Sequence, residues 1–245
     1  MIIFACRQKG KLTEMDRIEQ KSERLRSEMT LRALFSIIFE NENAPQAMYL
    51  DADQQPRTVT FAQCRERVYA AAQALRQAGV QPGGYIALQL DTCPEWFTLY
   101  WAVIASGANA LLLDPQHGAE MTAYLMRQAG ARGVIAAVKQ PGLAGVRQWT
   151  KEELMSAPPA AEGFEPSFGT KTALCTSGTT QTSRIFVYDE KALCSQLLNS
   201  VLLHKANRRI IDGEYTRNLV FLPCHHIFGF MVCMLWMSFI GGENV

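Results

Sequence analysis

The stretch with the clearest capacity for chemistry is Thr176-Ser177-Gly178-Thr179-Thr180, followed four residues later by Arg184. It supplies four side-chain hydroxyls, which donate and accept hydrogen bonds, around a glycine that lets backbone N–H groups come close to a ligand. Successive amides in a tight loop form a concavity for anions. A guanidinium at Arg184 would bring positive charge to the same place. The set suits a phosphate chain, although on composition alone a plain Ser/Thr turn between two strands fits equally well. Two other loop chemistries are excluded. G-x-x-x-x-G-K-[ST] is absent, so this is not a Walker loop, and no G-x-S-x-G supports a nucleophilic serine.

The second reactive stretch is "LVFLPCHHIFGF", residues 219–230. Its pattern places His226 just after a strand and at the start of a Gly-containing helix, with Phe228 and Gly229 close behind. A histidine in that position is commonly a hydrogen-bonded structural residue. In one sheet with an anion loop, however, His226 and its aromatic neighbours suit the wall of an acyl or aryl pocket. Cys224-His225-His226 has the residue types of a metal site, but adjacent side chains seldom converge on one ion and no second ligand pair lies nearby. No metal ligand is assigned.

These stretches need elements to position them. Residues 13–28 are charged and poor in large apolar residues, which predicts a solvated helix or frayed extension, and Met15 or Met29 could serve as the start as well as Met1. The chain is divided into a charged extension over 1–29 and one domain over 30–245. "LRALFSII" has helical spacing, and "AMYLDADQQPRTVTF" reads as a hairpin around a polar turn. Thr60 with Gln63 makes a capping box for a helix that ends at Gly79. Strands are expected at 85–90, 109–114 and 133–138, with helices at 94–106 and 119–129 between and before them. Residues 140–168 read as an irregular connection. Then come the strand "TALC", the hydroxyl loop, the strand "RIFVY", a helix from Asp189 to about Asn207, a strand at 218–222 and a final apolar helix. Apolar strands alternating with helices predict an α/β fold of mainly parallel sheets covered by helices. In such sheets, ligands bind beyond the carboxyl ends of the strands, which is where the hydroxyl loop falls.

Composition limits the partners. Twenty-four Lys and Arg against 23 Asp and Glu leave a formal charge of +1, which gives no footprint for nucleic acid. Seven cysteines, an odd number with no C-x-x-C pair, read as reduced core thiols and imply a cytoplasmic location. Residues 219–242 are uncharged, but Pro223, two histidines and Gly229 divide them, so a strand and a buried helix are expected rather than a membrane span.

Taken together, "CTSGTTQTSR" resembles the T-S-G-T-T-G-x-P-K phosphate loop of the adenylate-forming (AMP-binding) superfamily, which includes acyl-CoA synthetases and peptide-synthetase adenylation domains. "LPCHHIFGF" resembles its L-P-L-F-H-x-x-G-F segment, and "PEWFTLYWAVIASGANALLLDP" is a weaker, generic match. The resemblance runs from about residue 30 onward and implies the first part of the family's N-terminal domain. It implies activation of a small carboxylic acid by ATP with Mg2+ to an acyl-adenylate, then transfer to coenzyme A or a carrier pantetheine, which makes an acyl carrier protein a candidate partner. By position, Thr176, Ser177, Gly178, Thr179, Thr180 and Arg184 would hold the ATP phosphates, and His226, Phe228 and Gly229 would face the substrate. Gln181 stands where glycine or serine is usual, Ser183 where proline is, and Arg184 where lysine is; the last keeps the charge and changes its geometry.

The family's Y-G-x-T-E segment, ribose-binding aspartate, hinge and C-terminal lysine lie beyond the matched region. Two readings follow. In one, the chain is an N-terminal portion of a ligase, inactive by itself and prone to self-association through uncovered apolar surface. In the other, it is a shortened, non-catalytic binding or interaction module.

Overall fold

The computed structural model describes residues 14–176, 184–207 and 217–245. Two helices, α1 (Glu14–Glu28) and α2 (Leu31–Ile38), lead into the antiparallel pair β1 (Pro45–Leu50) and β2 (Pro56–Thr60). Next come α3 (Phe61–Gln77), β3 (Tyr85–Gln89), α4 (Trp96–Ala105), β4 (Asn109–Leu112), α5 (Ala119–Ala129) and β5 (Ala131–Ala136). A 3-10 turn at Pro141–Leu143 precedes β6 (Arg147–Thr150) and α6 (Lys151–Met155). The chain continues through β7 (Lys171–Thr176), β8 (Arg184–Asp189), α7 (Glu190–Ala206) and β9 (Arg217–Asn218). It closes with a π-helical segment Gly229–Trp236, α8 (Met237–Ile240) and β10 (Glu243–Asn244).

Two sheets result, with orders β6-β5-β3-β4-β7-β8 and β2-β1-β10-β9. In the first, five strands run parallel and β8 joins β7 antiparallel at the edge. Both faces of its inner strands β3, β4 and β5 are buried, as their uninterrupted apolar sequences require. Ile86, Leu88, Ala110, Leu112 and Leu174 point into the main core. Ala87, Leu111, Leu113, Val134 and Ala173 point to a second layer under α5.

α4 is buried along its whole length, which explains why its sequence is apolar on every side. Trp101 packs edge-on to Phe35 and Tyr100, whose hydroxyl lies 3.0 Å from Thr172 Oγ1, so the buried phenol keeps a polar partner.

The capping box at Thr60 and Gln63 forms, and Gly130 ends α5 in the left-handed region at φ +69°. Three elements differ from the sequence expectation. First, α1 is not fully solvated, because Ile18, Ser22 and Leu25 are buried while Lys21 donates to the Phe239 carbonyl at 3.0 Å. Those three residues are four and three apart, a narrow stripe that the surrounding charges conceal. Second, residues 140–155 are ordered by a second capping box, Thr150 with Glu153, and only the remainder of 140–168 is irregular. Third, the strand expected at 218–222 is realised only over Arg217–Asn218. Its neighbour β10 pairs just two residues with it.

Candidate functional site

The carboxyl ends of β3, β4 and β7 set the floor of the candidate site. At the end of β7, Thr176 is the register partner of Arg184 across the antiparallel β7–β8 pair. The residues between them, including Ser177, Gly178, Thr179 and Thr180, lie outside the described part of the structure. Arg184 is exposed and has no ion-pair partner among the described residues, so its guanidinium is open to an anion. It also borders a groove of about 720 Å³ between α5 and β8.

The turn at 223–228 approaches from the other sheet. His226 is half-buried, and its ring centroid lies 4.4 Å from that of His225. Phe228 stands 63% exposed. Gly229 is buried, and a Cβ there would meet the Pro223 carbonyl oxygen at 2.2 Å. Glycine is therefore required for the π-helix to start so close to the Leu222–Pro223 backbone, and that closeness aims the His226 turn. Thr92, just past β3, accepts from the Cys224 N–H at 3.3 Å and donates to the Leu222 carbonyl at 3.3 Å. One hydroxyl thus fastens the histidine turn to the central strand.

Sequence reading missed the turn after β4. Asp114 Oδ2 lies 3.8 Å from His225 Nε2, and His117 belongs to the same turn. Three of the chain's four histidines, His117, His225 and His226, thus act on one small region together with Asp91 and Asp114. His225 is 8% exposed, and among the described residues neither of its ring nitrogens has a hydrogen-bond partner, nor does His117 Nδ1. Burial, reinforced by the neighbouring His226 and His117 rings, pushes the His225 imidazole below its ordinary value, against the pull of Asp114 and Asp91. The ring is accordingly neutral near pH 7.

One side-chain amide reaches both ends of the Asp114–His117 turn. Buried Gln89, the last residue of β3, donates from Nε2 to the Asp114 carbonyl at 3.2 Å, the His117 carbonyl at 2.9 Å and Thr122 Oγ1 at 3.0 Å. Its Oε1 accepts from Gln140 Nε2 at 2.8 Å. A glutamine inside an apolar strand, "YIALQL", was the available signal: a buried amide must find partners, and here they are the loops beyond β4 and β5.

Five of the thiols are poor nucleophiles. Burial pushes Cys64, Cys93, Cys194 and Cys224 up to about 12 and Cys175 to about 11. Among the described residues, no three His, Cys, Asp or Glu side chains are arranged to hold a metal ion, and no helix is long and apolar enough to cross a membrane.

This arrangement, a run of five parallel strands edged by antiparallel β8, with a histidine turn fastened beyond the end of β3 by Thr92, has known counterparts. The profile of the family described as AMP-binding enzyme matches residues 40–245. The chain belongs to this family. Gramicidin S synthase 2 of Aneurinibacillus migulanus is 27% identical over 95 residues, which are 39% of this chain and 2% of the synthase. The o-succinylbenzoate coenzyme A synthetase of Bacillus subtilis, solved with AMP, superimposes with a TM-score of 0.72 at 21% identity, covering 86% of this chain and 54% of that one. The same synthetase with ATP and magnesium gives 0.71 at 19% identity, covering 86% and 56%. The chain therefore spans about half the length of these solved ligases, and a small part of the synthase.

Proposed function

We propose that this chain is the first part of an ATP-dependent ligase that activates a small carboxylic acid, and that it does not catalyse by itself. The observation that carries the reading is the family match over 40–245, together with the segment between Thr176 and Arg184 at the carboxyl end of a parallel strand. The Thr176–Thr180 hydroxyls and amides, with Arg184, would hold the ATP phosphates, and the exposed guanidinium fits that charge. ATP with Mg2+ is supported by the ligands of the B. subtilis synthetase. His226 and Phe228 would line the carboxylate pocket, with Gly229 allowing the turn that presents them.

In the reaction, a carboxylate oxygen attacks the α-phosphorus and pyrophosphate leaves. A thiol, of coenzyme A or a carrier pantetheine, then attacks the acyl carbon and AMP leaves. The chain's own residues bind and orient the nucleotide and the acid in the first step. Substrate identity would be completed by residues beyond those matched here.

Isothermal titration of the chain with Mg-ATP tests the loop. Thr179→Ala and Arg184→Ala should each weaken binding roughly tenfold, the scale of one lost charge-assisted hydrogen bond. If the chain binds ATP and neither substitution matters, the assignment of the loop is wrong. Carboxylate-dependent ATP–pyrophosphate exchange should stay at background; clear exchange would refute the inactivity of the isolated chain.

A further inference from the structure

The half-buried ring of His226 lies against another ring. Its backbone is fixed, because the His226 N–H donates to the Pro223 carbonyl at 3.1 Å and its carbonyl accepts from the Phe230 N–H at 2.8 Å. Its imidazole packs on that of His225, with centroids 4.4 Å apart and planes at 43°. The direction of the His226 ring therefore depends on what holds His225.

Packing alone is a poor account of a histidine at 225. The residue is buried, and among the described residues both ring nitrogens lack a hydrogen-bond partner. Burying unpaired nitrogens costs stability that a phenyl ring of similar shape would keep. What the imidazole supplies is a polar edge, with Nε2 3.8 Å from Asp114 Oδ2. The other ionisable groups that act on it are His226 on its own turn, His117 on the Asp114 turn, and Asp91 beyond β3.

The Asp114 carboxylate is held in place from several sides. Its Oδ1 accepts from the Gln116 N–H at 2.8 Å, which leaves Oδ2 for His225. Its carbonyl accepts from the His117 N–H at 3.1 Å and from Gln89 Nε2 at 3.2 Å. Gln89 is braced in turn. Gln140 Nε2 donates to Gln89 Oε1 at 2.8 Å, and Gln148 Oε1, on β6, accepts from the Gln140 N–H at 2.7 Å. Three partnered amides in series thus tie the Asp114 turn to β3 and β6.

We propose that Asp114 and His225 are positioning residues for His226. The Asp114 carboxylate, presented by the turn that Gln89 holds, fixes the plane of the His225 ring and favours the tautomer with its proton on Nε2. His225 then sets the direction of the His226 ring. The inference rests on the reading of His226 as part of the carboxylate pocket, and it extends that pocket's support to two residues that need touch neither nucleotide nor acid.

The test is 1H–15N correlation spectroscopy of the four imidazoles in the 245-residue chain, from about pH 5 to about pH 8, for the parent, Asp114→Asn and Asp91→Asn. Asparagine at 114 keeps an oxygen for the Gln116 N–H and removes the charge. In the parent, His225 should be neutral at about pH 7 with its proton on Nε2. Asp114→Asn should abolish that tautomer preference, lower the His225 titration midpoint by about half a pH unit or more, and shift the His226 ring resonances. Asp91→Asn removes an equal charge from an exposed position. It should lower the midpoint by less and leave the tautomer and the His226 resonances unchanged. If the two variants act alike, Asp114 is only a background charge and the proposal is overturned. It is also overturned if Asp114→Asn leaves the His225 tautomer or the His226 resonances as they are in the parent. These spectra contain neither nucleotide nor acid, so their failure is distinct from failure of the ligase reading, which the Mg-ATP titration tests.

Discussion

The two sheets solve the same problem to different degrees. In the six-stranded sheet, the parallel pairs run for three to five residues, both faces of the inner strands are covered, and α4 fills one layer with Trp96, Phe97, Tyr100 and Trp101. In the four-stranded sheet, β9 and β10 are two residues long, and Leu219 and Phe221 stand 68% and 75% exposed beside them. The contrast separates the sheet that carries most of the burial from the one that carries less of it among the described residues. A parallel sheet needs cover on both faces before it repays the ordering of its chain. The first sheet has that cover within residues 61–206, and the second does not have it within the described residues.

The largest expected effect tests this asymmetry directly. Trp101→Ala empties a buried site among Phe35, Phe39, Phe97 and Tyr100 and should cost about 3–5 kcal/mol of unfolding free energy. Val220→Ala, beside β9 in the four-stranded sheet, should cost about 1 kcal/mol or less, because half-exposed side chains surrender little transfer energy. Urea unfolding of both variants gives the comparison. Similar losses would mean that the four-stranded sheet is as well packed as the other.

The junction between the sheets is the His225 turn, which carries the chain from β9 to the π-helix and faces the Asp114 turn after β4. The folded ring has a lowered proton affinity, from burial first and from His226 next. The unfolded chain therefore binds more protons in the interval between the folded value and about 6.5, and stability there rises with pH. Acidification from about pH 7.5 should cost stability as pH falls through about 6.5, by at most ~1.4 kcal/mol per pH unit, and the loss should be complete below the folded value. His225→Gln should flatten that slope. Urea midpoints measured across the interval check it: an unchanged slope in His225→Gln would refute the assignment of the pH dependence to this ring.

Most of the six-stranded sheet was legible, because its evidence is local. Thr60 with Gln63, Gly130 after α5 and the apolar runs of β3, β4 and β5 each announce themselves within a few residues. The antiparallel pairing of β8 was not, since strand direction depends on partners rather than on residue type. α1 was misjudged because Ile18, Ser22 and Leu25 form a stripe too narrow to outweigh the charges around it. The hydroxyl cluster and His226 were legible as residue types with an expected place beyond strand ends. Their neighbours were not. Gln89, Asp114 and His117 meet through contacts 25 to 33 residues apart in sequence, and the 3.8 Å approach of His225 to Asp114 spans two sheets. Such pairings carry no periodicity for a sequence to display.

The smallest effect on stability distinguishes the two open edges. The six-stranded sheet also has one, β8, where Phe186 and Val187 are 46% and 54% exposed. An exposed edge invites pairing with another chain in proportion to its apolar surface and to the backbone groups it leaves free. The rim at Leu219 and Phe221 is more exposed, whereas β8 is saturated on its other side by β7. Phe221→Ser and Phe186→Ser should therefore both leave unfolding free energy within about 0.5 kcal/mol of the parent, as exposed substitutions do. They should differ in association. Sedimentation velocity over a concentration series should show any self-association reduced more by Phe221→Ser than by Phe186→Ser. The reverse order would locate the adhesive edge on β8.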